Sequence, residues 1–491
     1  MVVAPKSKSA EIRARLGYPI IDIDGHMNWI GVGDSLRDYI RQVGGSDAPE
    51  RFDREAKRSN SQLQGGSPWW QMSGDERRRQ RIRHPAWWPF PTKNTYDRAT
   101  SALPRLLHER MDELGLDVTV LYQGFIQSHH HDDELRRVGC RAFNMWQMDR
   151  FRGFTDRIIP SAAIPMHTPQ EAIEETEFAV KELGYKVICI AAFVVRPVPR
   201  YEREAAPFGE ENFWLDFYGL DSAYDYDPFW AKCVELGVAP TTHSVGMGFG
   251  SRRSISTYMY NHIGHFAWAA EGLCKALFFG GVTRRFPTLR FGFMETGVGW
   301  GCNLYADLAA RWDKRNGKAI ANLDPANLDI ELMSRLIEQY RDEKVVGSLE
   351  DLRASFRPER APDNPNDFAA CRIEKAEDIR DLFVPHFYFG CEADDPMNVW
   401  AFNGGVNPFG ARLRPMLSSD IGHWDVPDMT KVVEEAYELV EKGLISDEEF
   451  KEFAFLNPVR LHAGMNPDFF KGTAAEADVQ RLISETPSAL E

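Results

Sequence analysis

Asp24, His26, His243, Glu295 and Asp420 are the residues of this 491-residue chain whose types and settings point to chemistry. Each closes or follows a short apolar run: Ile21-Asp22-Ile23-Asp24-Gly25-His26, Val238-Ala239-Pro240-Thr241-Thr242-His243, Leu289-Arg290-Phe291-Gly292-Phe293-Met294-Glu295 and Arg414-Pro415-Met416-Leu417-Ser418-Ser419-Asp420. Such runs read as buried strands. Residues two apart in a strand face one side, so Asp24-x-His26 aims a carboxylate oxygen and an imidazole nitrogen at one point. Mixed oxygen and nitrogen donors suit zinc, manganese or iron. Taken singly, each residue has a plainer reading: a strand-end histidine bonded to nearby backbone, or Asp420 as a helix N-cap. Taken together they favour a metal centre, because a barrel gathers the C-terminal ends of its strands at one mouth.

The elements that must position them alternate. Strand-like runs end near Asp24, Tyr122, Ile164, Ile190, His243, Glu295, Cys391 and Asp420, with helical patterns between them, as at Thr168–Leu183 and Tyr258–Phe279. Eight strands alternating with helices imply an α/β fold, a (β/α)8 TIM-type barrel. An open doubly wound sheet would need a Gly-rich phosphate loop after the first strand, and Gly25-His26-Met27-Asn28 does not supply one. The chain reads as a single domain over 1–491. It has an insertion at 28–105 after the first strand, a second at 341–384 before the seventh, and a helical C-terminal segment at 428–491 in which Ser446-Asp447-Glu448-Glu449 has capping character.

Composition narrows the partners. A net charge of −15 argues against nucleic acid, which needs a basic face. No stretch of apolar residues is long enough for a membrane span. Met1 to Ser9 lacks the apolar core of a secretory signal. Seven cysteines, an odd number without zinc-finger spacing, read as free thiols of a cytoplasmic protein. No Gly-x-Ser-x-Gly elbow suggests a serine hydrolase.

Asp24-Gly25-His26, His243 and Ser419-Asp420-Ile421-Gly422-His423-Trp424-Asp425 resemble the amidohydrolase superfamily. The branch is the amidohydrolase-2 family, which includes aminocarboxymuconate-semialdehyde decarboxylase and related non-oxidative decarboxylases. Phe286-Pro287-Thr288-Leu289-Arg290, Glu295-Thr296-Gly297-Val298-Gly299-Trp300, Asn457-Pro458 and Asn466-Pro467-Asp468-Phe469-Phe470 add to the likeness, which runs from about Ile20 to Thr473. The resemblance implies a barrel with a divalent metal, Asp24, His26, His243 and Asp420 on ligand positions, Asp420 also handling a proton, and a homo-oligomer.

The chain also departs from that pattern. Trp29 stands where many relatives carry Glu, and Glu295 where the sixth strand commonly ends in His. A carboxylate there can ligate or bridge metals, or act as a base. His262 and His265, three apart on an expected helix, share a face. Either could join Glu295 around a second metal, or merely touch substrate or solvent. No lysine ends the fourth strand near Ile190, so a carbamate-bridged pair has no bridge.

The insertions bear on substrate. Trp87 and Trp88, with Trp69 and Trp70, flank Arg77, Arg78, Arg79, Arg81 and Arg83. Arginine forks suit carboxylates and phosphates, and indoles suit flat or apolar bodies. Arg77, Arg79, Trp87 and Trp88 are therefore candidate substrate contacts, although a solvated helix face is the plainer account. His130, in a histidine triplet after the second strand, belongs to a polar loop at the same mouth and is a further candidate. The expected protein is a metal-dependent hydrolase in which metal-bound hydroxide attacks the ester, thioester (an acyl-coenzyme A, for example) or amide carbonyl of an anionic, partly apolar substrate. Asp420, His265 and Glu295 would be its catalytic groups, with one or two metals per chain. Non-oxidative decarboxylation of an aromatic or unsaturated carboxylate is the alternative, and a catalytically silent scaffold the third reading.

Overall fold

The computed structural model describes residues 7–27, 33–59, 68–85, 93–122, 132–198, 213–340 and 365–490. Eight parallel strands form one sheet: β1 (Ile21–Gly25), β2 (Val118–Leu121), β3 (Ile158–Ile164), β4 (Val187–Ile190), β5 (Pro240–Thr242), β6 (Phe291–Phe293), β7 (Phe387–Cys391) and β8 (Arg414–Leu417). Each pairs with its successor in chain order. Backbone bonds just beyond the strand ends close the ring, from Asp420 N–H to the Asp24 carbonyl (2.9 Å) and from His26 N–H to the Ile421 carbonyl (2.7 Å). The chain is a TIM-type barrel.

Strands buried on both sides explain the near-continuous apolar runs of the sequence. One face packs on the outer helices. The other joins Ile21, Ile23, Val118, Met294 and Met416 to Phe455, Val459, Leu461, Phe469 and Phe470 of the C-terminal segment. Asn457 donates to the carbonyl of Pro415 at the start of β8 (2.8 Å), and Arg290, just before β6, donates to the carbonyl of Arg460. The C-terminal helices thus plug the end of the barrel opposite the strand ends that carry the candidate ligands. The capping box at Ser446 and Glu449 is present.

Three local features depart from expectation. The pairing of β1 with β2 shifts register between Asp22 and Gly25. Asp24 and His26 therefore meet at an irregular strand end instead of along a regular pleat. The expected Tyr258–Phe279 helix is two, Tyr258–His262 and His265–Phe279, parted at Gly264 with φ +70°. His262 and His265 consequently share no helix face. A hairpin of Val194–Pro197 and Phe213–Asp216 follows β4, unannounced by any turn dipeptide in the described strands.

The first insertion is largely helical where described, with Gly33–Gly44, Ala48–Ser59 and Gly74–Gln80. It docks on the segment after β5: His84 N–H donates to the carbonyl of Ser254 (2.8 Å) and Trp69 Nε1 to that of Ile255 (3.3 Å). All seven cysteines are buried, and none forms a disulfide. Among the described residues no helix is long and apolar enough to cross a membrane.

Candidate metal centre

The β1 and β8 ends are locked together by a buried acid. Asp22 accepts hydrogen bonds from the Thr119 hydroxyl (2.5 Å), the Ser419 N–H (2.8 Å) and the Asp24 N–H (3.2 Å), and burial pushes its carboxyl up to about 6. Ser418 Oγ donates to Asp24 Oδ2 (3.0 Å). These bonds hold the Ser418-Ser419-Asp420 turn on β1. Asp420 itself is left-handed, with φ +53°. That backbone costs about 1–3 kcal/mol for a non-glycine residue and persists only where its surroundings over-determine it. Gly422 (φ +100°) lets the chain continue past His26, since a Cβ there would lie 2.2 Å from the His26 carbonyl oxygen.

His26 Nδ1–H donates to the Tyr122 carbonyl (2.7 Å), which leaves Nε2 to face inward. Nε2 lies 3.3 Å from Asp24 Oδ1, 3.0 Å from Asp420 Oδ1 and 4.0 Å from Glu295 Oε2. Across the mouth, His243 Nε2 lies 2.9 Å from Glu295 Oε2 and 3.7 Å from Asp24 Oδ2. Glu295 is also left-handed (φ +53°), and its loop is pinned by Thr296 and Gly297 N–H groups on the Gly390 carbonyl (3.1 and 2.9 Å). His423 stacks on His26 with ring centroids 3.7 Å apart and sets Nδ1 2.7 Å from Asp420 Oδ1.

Close as they are, Asp24 Oδ1, His26 Nε2, His243 Nε2, Glu295 Oε2 and both Asp420 carboxyl oxygens are buried without a hydrogen-bond partner. Orphaned buried polar atoms are uncommon, and several in one place call for an occupant. The ligand atoms of Asp24, His26, His243 and Glu295 lie within 4.8 Å of one another, as do those of His26, Glu295, Asp420 and His423. Burial opposes a charge on His26, yet Asp24 and Asp420 lift its pKa well above the usual imidazole value. Burial and the Asp420, Asp24 and Asp425 carboxylates push Glu295 well up. Protons thus stand in for missing positive charge. Burial takes His243 down to about 4, so that imidazole is neutral and ready to ligate. The donor set fits a divalent transition metal.

An amidohydrolase family model matches residues 23–346. The chain belongs to the amidohydrolase family. No curated protein matches it. Among solved structures, an amidohydrolase from Mycobacterium avium subsp. paratuberculosis is 16% identical, with a TM-score of 0.49, over 91% of this chain and 99% of that one. A 2,6-dihydroxybenzoate decarboxylase from Rhizobium is 15% identical, with a TM-score of 0.47, over 91% and 98%. A dihydroxybenzoic acid decarboxylase from a Polaromonas species, with bound manganese and the inhibitor 2-nitroresorcinol, is 17% identical, with a TM-score of 0.46, over 91% and 97%.

The remaining expectations for this amidohydrolase-family chain fall out unevenly. His262 faces Glu295 and Asp425, whereas His265 points away: it is 1% exposed and its Nδ1 accepts from the Gly246 N–H (3.2 Å). Arg77 lies over the Trp69 ring (3.6 Å) and donates to the Trp69 carbonyl (2.8 Å), and Arg79 is exposed. Trp87, Trp88 and His130 lie outside the described residues, as does Trp29. Sequence reasoning passed over Asp22, His423 and Asp425 as site residues and named Arg83 only as one of five clustered arginines. Arg83 is 8% exposed, has no ion pair among the described residues, leaves Nε without a partner and packs on Gly248 beside Tyr258. His423 and Asp425 were signalled only by their place in Gly422-His423-Trp424-Asp425.

Proposed function

We propose that the protein is a metal-dependent, non-oxidative decarboxylase of an anionic substrate with a flat aromatic or unsaturated body. Asp24, His26, His243 and Asp420 would hold the ion, with Glu295 completing the set. When bound, a divalent ion there supplies a Lewis acid for the substrate carboxylate and a neighbouring oxygen. The observation that supports this reading over others is the setting of Asp420. Its Oδ1 is positioned by two imidazoles, 2.7 Å from His423 Nδ1 and 3.0 Å from His26 Nε2, in a mouth that carries further rings. Phe266 stands edge-on to His243 (4.7 Å), Trp424 edge-on to His262 (5.6 Å), and Tyr258 is stacked on His262 (5.4 Å).

Such walls suit a flat ring and exclude water. Loss of carbon dioxide spreads a localised carboxylate charge over that ring, a change a dry enclosure favours. The bond between the ring carbon and the carboxyl breaks, and its electron pair stays on the ring. Asp420 delivers a proton to that carbon, and carbon dioxide leaves. The Arg83 guanidinium, without an ion pair among the described residues, would provide for a further acidic group of the substrate.

Hydrolysis of an activated carbonyl is the second reading, and Glu295 favours it. Its carboxylate stands 2.9 Å from His243 Nε2, where it could take a proton from water. The two separate in one experiment. The manganese-loaded protein is incubated in deuterium oxide with a panel of carboxyl-labelled hydroxybenzoates and unsaturated acids, and with ester, thioester and amide panels. Labelled carbon dioxide, with one deuterium at the vacated carbon, is the expected result. Cleavage of an ester, thioester or amide with no carbon dioxide from any acid would replace decarboxylation with hydrolysis.

A further inference from the structure

The mouth carries more carboxylate than a single cation needs. Beyond Asp24 and Asp420, the Glu295 and Asp425 carboxyls both turn inward, and Glu295 Oε2 and Asp425 Oδ1 are buried without hydrogen-bond partners. Glu295 is 9% exposed. Its left-handed backbone sets the carboxyl between two groups of donors. On one side stand Asp24, His26 and His243, and on the other His262 and Asp425. The ligand atoms of His262, Glu295 and Asp425 lie within 4.8 Å of one another, just as those of the first group do with Glu295.

We infer that His262, Asp425 and Glu295 form a second divalent-cation site, with Glu295 shared between the two ions. The inference rests on the first-site reading, since a shared carboxylate has meaning only if that site is filled.

The three donors come from separate elements. His262 ends the helix Tyr258–His262, where Tyr258 stacks on its ring and His265 and Trp424 meet its edges at 5.0 and 5.6 Å. That helix is anchored by Asn261, fully buried, which exchanges bonds with the Ser254 backbone (2.7 and 2.9 Å). Asp425 follows the Gly422 turn, which passes close to the His26 carbonyl. One imidazole nitrogen and two carboxylate oxygens are a donor set for a borderline cation, with coordination positions left open for substrate. A bridging carboxylate commonly holds two such ions about 3.5–4 Å apart. The His262 position also explains the helix break at Gly264: a continuous helix would carry His262 and His265 on one face, and only His262 is wanted here.

The competing occupant is a proton shared among Glu295, Asp425 and Asp420. Manganese titration of the full-length metal-free protein separates the two, read by loss of the free-ion paramagnetic resonance signal and by the spectrum of the bound ions. The expected result is about two ions per chain with an exchange-coupled spectrum, as for a bridged pair. Asp425→Asn and His262→Gln should each weaken the second ion by about tenfold or more while leaving the first bound. Both variants are checked for wild-type circular dichroism and melting, and agreement of the two guards against one misfolding. One uncoupled ion in the wild type, unchanged in both variants, overturns the second site and leaves the first intact. No bound ion overturns both.

Discussion

The two halves of the mouth are held by different means. On the β1/β8 side the donors are fixed by backbone: Asp420 N–H on the Asp24 carbonyl, His26 N–H on the Ile421 carbonyl, and Ser419 N–H on Asp22. On the β5/β6 side Glu295 is pinned by backbone to Gly390, but His262 and Arg83 are held where the first insertion docks, with His84 and Trp69 stitched to residues 254 and 255. The first arrangement tolerates no change of shape, because every donor shares a bond with its neighbour's main chain. The second rests on surfaces that can differ among relatives without disturbing the first. The β1/β8 candidate ligands Asp24, His26 and Asp420 thus lie in the backbone-bonded half, and Arg83 in the docked half.

The largest effect tests the first half. Asp420→Asn keeps the shape of the side chain but cannot carry the proton, so turnover should fall by about 10²–10⁴-fold. Steady-state kinetics with metal analysis check it, and a variant of near-normal turnover would move proton handling elsewhere. Asp22→Ala comes next. It strips the acceptor from the buried Ser419 N–H and the Thr119 hydroxyl, which should cost about 1–3 kcal/mol of stability. Through the Asp420 turn it should also weaken the first metal by about 10–100-fold. Urea unfolding and manganese titration measure the two effects. Loss of stability with metal affinity intact would show that the turn holds its shape without Asp22.

The backbone-bonded half is also the half that sequence exposes. Asp-x-His at a strand end and Ser-Ser-Asp after an apolar run are local patterns, and a barrel brings their strands together by closing. What stays hidden depends on contacts between distant segments. Asp22 looks like any polar residue in Ile-Asp-Ile-Asp until Ser419 is placed against it. No residue type marks Glu295 and Asp420 as left-handed. The apolar rhythm of Tyr258–Phe279 runs straight through Gly264, so a helix break leaves no trace in periodicity. Five arginines between positions 77 and 83 look alike, and docking on Gly248 alone decides that Arg83 is buried while Arg79 is not.

The two facing imidazoles should titrate oppositely. Against the opposition of burial, Asp24 and Asp420 raise His26 well above its usual pKa, whereas burial depresses His243 to about 4. In the metal-free protein His26 therefore adds stability that is full below about 6.5, its unfolded value, and is lost as pH rises through its raised one. His243, with a depressed pKa, adds stability that is present above about 6.5 and lost as pH falls through about 4. A metal must displace the His26 proton but finds His243 already neutral. Metal affinity should rise by about tenfold per pH unit for each proton displaced near neutrality. Calorimetry in buffers of different ionisation enthalpy should show proton release that shrinks in His26→Gln and persists in His243→Gln. Equal release in both variants would erase the distinction between the two sides.

The smallest effect tests the docked half. Arg83 is a buried guanidinium without an ion pair among the described residues, which suits it to an anionic partner. Arg79, on the same insertion, is exposed. Arg83→Gln should raise KM for an anionic substrate by about tenfold, the worth of a hydrogen bond to a charged group, and leave kcat nearly unchanged. Metal content should not move, since among the described residues Arg83 shares no bond with the β1/β8 strand ends. Arg79→Gln should alter neither constant. If the Arg83 variant instead lost metal, the two halves would be coupled through the segment that carries Tyr258 and His262, and substrate choice could not vary independently of cation binding.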